Sequence, residues 1–143
     1  MFGWMIALIS GAVMSVQGVF NTQVTKTSGI WSASAFVQFS ALLVCLAAWA
    51  VTERGNLFQV FRVEPKYMLL GGAMGAVITY TVIRSMEMLG PAKSAMLIVV
   101  SQIIVAYLIE LLGLFGVEKQ PLMMRKVAGM VVAVLGVILF KWE

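Results

Sequence analysis

The chain has 143 residues, of which 62% are hydrophobic and only 11% charged, well above the ~45–50% apolar content of soluble domains. The net charge of +4 is scattered, and aspartate and histidine are absent; this suits anionic lipid headgroups and excludes a nucleic-acid partner. No triad, metal-ligand cluster or phosphate-binding loop is present, so the expectation is no enzyme, no catalytic residue, no metal and no cofactor.

Five apolar stretches fit the length, each near the ~20 residues that cross a ~30 Å hydrocarbon core. The expected fold is all-α and integral to the membrane, a single transmembrane domain over 1–143. The first span is expected over 2–24 and carries no charged side chain. It lacks the basic start of a cleaved signal peptide and is too long for one, so it reads as a retained span. Ser10, Met14, Gln17 and Asn21 recur at steps of four, three and four, which stacks them on one helical face. A polar stripe on a spanning helix avoids lipid. Two readings stay open: hydrogen bonds to neighbouring helices, or a substrate-lined cavity.

The second span is expected over 31–51, with Ser34, Gln38, Ala41 and Cys45 on one face. Cys45 is the lone cysteine, so no intrachain disulfide can form. A polar connection over 55–64 leads to the third span at 66–88, which opens with Gly71, Gly72 and Gly75. The fourth span is expected over 92–114 and the fifth over 122–140. Pro65, Pro91 and Pro121 all stand where a span begins, the position at which a missing N–H costs least. Trp4, Trp31, Trp49, Tyr67 and Trp142 lie near span ends, as an aromatic belt at the two headgroup layers requires. Gly129, Ala133 and Gly136 give the fifth span a small-residue face suited to close backbone approach, a candidate dimer interface.

An odd number of spans puts the termini on opposite sides. With the N-terminus inside, the inner ends hold Arg54, Arg62, Lys66, Lys119, Arg125 and Lys126, and the outer ends hold Lys26, Arg84, Lys93 and Lys141. A split of six to four is a weak positive-inside bias, compatible with insertion both ways or with a partner of opposite orientation. At ~1.5 Å per helical residue, Gln17, Gln38 and Tyr80 come to similar depths, and Ser101 and Gln102 lie near the centre. Neutral polar groups on several helices thus share one slab, the arrangement a midplane substrate site needs. The charged residues read differently. Glu110 falls near the inner end of its span and is expected to pair at the interface with Arg125 or Lys126. Arg84 and Glu87, three apart, are expected to pair with each other.

Gln17 with Asn21, Gly71-Gly72-Ala73-Met74-Gly75-Ala76, Leu89-Gly90-Pro91-Ala92, Ser101-Gln102, Pro121, Arg125 to Gly129, and Leu135-Gly136-Val137 together give the chain a resemblance to a known family. It resembles the five-helix YdcZ-like inner-membrane exporters of the drug/metabolite transporter superfamily, over nearly its whole length. Ser101-Gln102 departs from the Gly-Gln expected there. The last span also resembles the helix through which the small multidrug resistance exporters dimerise, although their coupling glutamate in the first helix has no counterpart here.

The resemblance implies one inverted-repeat half of a ten-helix transporter, working as an antiparallel dimer, homodimeric or with a similar five-helix chain of opposite orientation. The expected function is alternating-access export of a small metabolite or toxic organic compound bound by Gln17, Asn21, Gln38, Tyr80, Ser101 and Gln102. The alternatives are a dual-topology ion channel, distinguished by fast non-saturating flux, and a non-transporting membrane subunit of a heterodimer.

Overall fold

A computed structural model describes residues 2–141, and among these the regular structure is entirely helical. Five α-helices follow in order: α1 (Phe2–Ser28), α2 (Ile30–Thr52), α3 (Gly71–Leu89), α4 (Pro91–Leu112) and α5 (Met124–Lys141). Short 3-10 turns occupy Leu57–Arg62, Lys66–Leu70 and Leu114–Gly116. Four segments are long and apolar enough to cross a membrane: Phe2–Ser28, Ile30–Thr52, Lys66–Leu89 and Pro91–Leu112. The fifth helix is real but only 18 residues long, and Arg125, Lys126 and Lys141 all fall within it. Trp142, counted above in the aromatic belt, lies outside the described residues.

The helices overrun several expected boundaries for local reasons. α1 continues past residue 24 to Ser28, because Thr25, Thr27 and Ser28 turn their hydroxyls back onto the carbonyls of Asn21 and Val24 and so need no outside partner. The third span opens as a 3-10 turn after Pro65, and its α-helical part begins only at Gly71. In α4, Pro91 takes the first helical position, where its fixed φ is already helical. α5 starts two residues later than expected, at Met124.

Two connections are one residue long. Gly29 joins α1 to α2 and Gly90 joins α3 to α4, with φ/ψ of 81/157° and 80/162°. Only glycine adopts that combination without strain. Each glycine carbonyl accepts the N–H four residues on, Ala33 at 3.0 Å and Ser94 at 3.2 Å. Burial repeats around the two joints: Thr22 and Ile83 seven residues before, Thr25 and Met86 four before, and Ala33 and Ser94 four after are all buried. The two joints thus share one local pattern of backbone and burial.

The chain forms two compact units, Met1–Met88 and Leu89–Glu143. In the first, α1 packs on α2 through small side chains. The buried α1 stripe is Gly18, Thr22 and Thr25, and α2 answers with Ala33 and Ser34. Gly18 also lies against Val82 and Met86 of α3. In the second unit α4 packs on α5. Its connection is tied down by Gln120 N–H donating to the Glu110 carbonyl at 2.8 Å and by Met123 N–H donating to the Tyr107 hydroxyl at 3.0 Å.

Candidate functional site

The polar residues of the first unit divide between a closed seam and an open stripe. The seam lies between α2 and α3. Gln38 Nε2 donates to Thr79 Oγ1 at 3.3 Å, and Thr79 in turn donates to the Gly75 carbonyl at 2.9 Å. A Cβ on Gly75 would stand 3.5 Å from Gln38 Nε2, an ordinary van der Waals distance, so the seam does not depend on glycine there. Such an interhelical bond contributes about 0.6 kcal/mol. One turn from Gln38, the Ser34 hydroxyl is buried without a hydrogen-bond partner among the described residues, at a cost of ~1–3 kcal/mol. Trp31 and Tyr80 close the outer part of the seam by stacking, with centroids 4.9 Å apart. Trp31, expected only as a headgroup anchor, therefore also fixes one face of Tyr80. Arg84 Nη1 donates to Glu87 Oε2 at 3.1 Å and also interacts with the Tyr80 side chain.

The open stripe is on α1. Gln17 is exposed and Asn21 half-buried, while the helix face turned to the rest of the unit is Gly18–Thr22–Thr25. The difference is one residue of phase, about 100° round the helix. Gln17 and Asn21 consequently do not meet Gln38 or Tyr80 through any hydrogen bond among the described residues. Gly71 and Gly72 are likewise open, since a Cβ on either would meet nothing within 4 Å.

In the second unit Ser101 and Gln102 are exposed on α4. Ser101 donates its hydroxyl to the Ile98 carbonyl at 2.9 Å, so it needs no further partner. Tyr107 is the buried centre of the α4–α5 contact, and grooves open on both sides of it. One, of about 430 Å³, is lined by Ile103, Ala106, Glu110, Lys126, Gly129 and Met130 as well as Tyr107. The other, of about 300 Å³, is apolar, between Ile104 and Leu108 of α4 and Val127, Val131 and Val134 of α5.

The cation on Glu110 is Lys126, with Nζ 2.8 Å from Oε2; Arg125, the other cation expected there, forms no ion pair among the described residues. Lys126 Nζ also stands 5.5 Å from the Tyr107 ring centroid, within cation–π range. Gly129, which lines the larger groove, and Gly136 are both open, with nothing within 4 Å of an added Cβ. Ala133 between them is half-buried. Among the described residues no group of three or more His, Cys, Asp or Glu could hold a metal ion.

Thr79 and Trp31 are the contributors that sequence reasoning did not assign to these contacts. A Gly75-to-Thr79 step of four on the face opposite Gln38 was the available signal for the first. Nothing local marks the second. No curated protein and no solved structure matches the chain. Residues 2–139 do match the family described as "Putative inner membrane exporter, YdcZ", and with four helices able to cross a bilayer the chain belongs to that family as a multi-pass inner-membrane protein.

Proposed function

We propose that the protein exports a small metabolite or toxic organic compound by alternating access, as an antiparallel pair of chains around a shared central cavity. The observation that carries this reading is the exposure of Gln17 and Gln102 in the middle of apolar helices. A primary amide in hydrocarbon is costly unless it is hydrogen-bonded, and neither amide has a partner in its own chain among the described residues. A second chain and a water-filled cavity would satisfy both. In this reading α5 is the fifth span, its charged ends reach the headgroups, and Gly129, Ala133 and Gly136 contribute to the contact between chains. Gln38 and Tyr80 line the cavity from the seam, with Gln38 keeping its carbonyl and one N–H for solute.

The lining is polar but uncharged, which suits a neutral or zwitterionic solute or an organic cation resting on Tyr80. The test is saturable flux into liposomes of a lipophilic-cation dye and of an isotope-labelled zwitterionic amino acid. Wild type, Gln17→Ala, Gln102→Ala and Glu110→Gln are compared at matched folded amounts. Each alanine variant is expected to lose ~1–3 kcal/mol of binding, roughly five- to a hundredfold, while Glu110→Gln stays near wild type. The reverse order would move the site to the carboxylate of α4.

A further inference from the structure

The groove of about 430 Å³ between α4 and α5 has two unlike ends. At one end Glu110 and Lys126 form an ion pair with 42% and 43% of their side chains still exposed. Lys126 Nζ spends one N–H on Glu110 Oε2, and an ammonium has three, so two remain to donate outward. Glu110 Oε1 is not engaged by any described residue. Beyond the pair the wall is Ile103, Ala106, Gly129 and Met130, with no further charge. Beside Gly129 the groove is open, since a Cβ there would meet nothing within 4 Å.

Depth assigns the two ends to different solvents. The ion pair adjoins the connection between α4 and α5, which carries Glu118, Lys119 and Gln120 and belongs at headgroup level. Ile103 lies seven residues back along α4, about 10 Å into the hydrocarbon. A ligand for this groove therefore has a charged head and an apolar chain. Basic pockets between spanning helices hold lipid phosphates in this way. Here the cation is accompanied by a carboxylate, so the complementary head is itself a zwitterion.

We propose that this groove is a binding site for a zwitterionic aminophospholipid, with its phosphate on Lys126 Nζ, its primary ammonium on Glu110 and an acyl chain along Ile103, Ala106 and Met130. The site does not rest on the proposed transport cavity, and with the face of α5 proposed to meet a second chain it shares only Gly129. A primary ammonium has N–H donors for Glu110 Oε1. The quaternary ammonium of a choline lipid has none, and a glycerol lipid leaves its net negative charge beside the carboxylate.

The experiment uses the full chain in bilayer nanodiscs with equimolar phosphatidylethanolamine, phosphatidylcholine and phosphatidylglycerol, and reads co-released lipid by native mass spectrometry. One added hydrogen bond of the interhelical size, to Glu110 Oε1, predicts about threefold enrichment of the ethanolamine lipid over the choline lipid. Glu110→Gln is expected to remove that preference, and Lys126→Gln to lower retention of all three lipids. Ala106→Trp, which fills the groove and leaves the ion pair intact, should abolish retention in a protein whose helicity is unchanged. Equal retention of ethanolamine and choline lipids by the wild type, or an unchanged preference in Glu110→Gln, overturns the proposal. So does displacement of the lipid by soluble phosphoethanolamine at submillimolar concentration, which would assign the groove to a free zwitterion.

Discussion

Gly18 has no side chain, and Met86 uses the space. A Cβ at this position would lie 2.5 Å from Met86 Cε and 2.8 Å from Sδ, with Val82 Cγ1 at 3.4 Å. A methyl group displaces only the flexible end of a methionine and gains about 1 kcal/mol of helix propensity, so Gly18→Ala is expected to be near neutral. Gly18→Leu cannot be absorbed in this way and should cost ~1–3 kcal/mol by overpacking. Thermal unfolding in detergent, followed by tryptophan fluorescence, should show Gly18→Leu melting lower and Gly18→Leu/Met86→Ala recovering part of the loss. Equal melting of Gly18→Leu and wild type would mean that this contact does not hold α1 in place. The same position shows why the packing face of α1 was hard to see in the sequence. Gln17 and Asn21 are the conspicuous residues, yet Gly18, Thr22 and Thr25 are buried. Small side chains that satisfy their own hydroxyls carry no hydropathy contrast, so nothing in the residue types distinguishes them from filler.

At the scale of the helices, the four segments able to cross a membrane were legible because composition dictates them: twenty apolar residues bounded by proline, glycine and charge leave little choice. Helix phase was less so. The pairing of Glu110 required a choice between two adjacent cations, and only the register of α5, set where Met123 N–H meets the Tyr107 hydroxyl, selects Lys126. The open glycines of α5 are an element-level feature with an element-level test. A Cβ on Gly129 or Gly136 would meet nothing within 4 Å, so replacing either with leucine should leave the helical content of the monomer intact. If α5 lies between chains, both replacements should weaken dimerisation in bilayers, measured by single-molecule photobleaching, because the backbones can no longer approach. An unchanged dimer after both replacements would place the interface on another helix.

For the whole molecule, orientation is the open variable. The six-to-four division of basic residues gives the insertion machinery little to read, and an antiparallel homodimer requires both orientations of one chain. A C-terminal tag on the chain expressed alone is expected to be accessible from both sides of the membrane. Adding two or three lysines beside residues 55–64 should bias it to one side. A wild-type chain that inserts wholly one way and still transports as a homo-oligomer would exclude the antiparallel homodimer.

The one-residue joints at Gly29 and Gly90 give that question a second reporter that owes nothing to charge. If the helices cross the membrane in turn, as proposed, both joints fall on the same face, where the backbone has almost no irregular stretch to offer a protease. The opposite face would then present the two long connections, between Thr52 and Gly71 and between Leu112 and Met124. Cleavage of sealed vesicles from outside would therefore count only those copies whose looped face points outward. The uncut fraction is then a direct census of the other orientation. The same asymmetry marks where an epitope or fluorescent reporter can be inserted without disturbing a helical hairpin, and where it cannot.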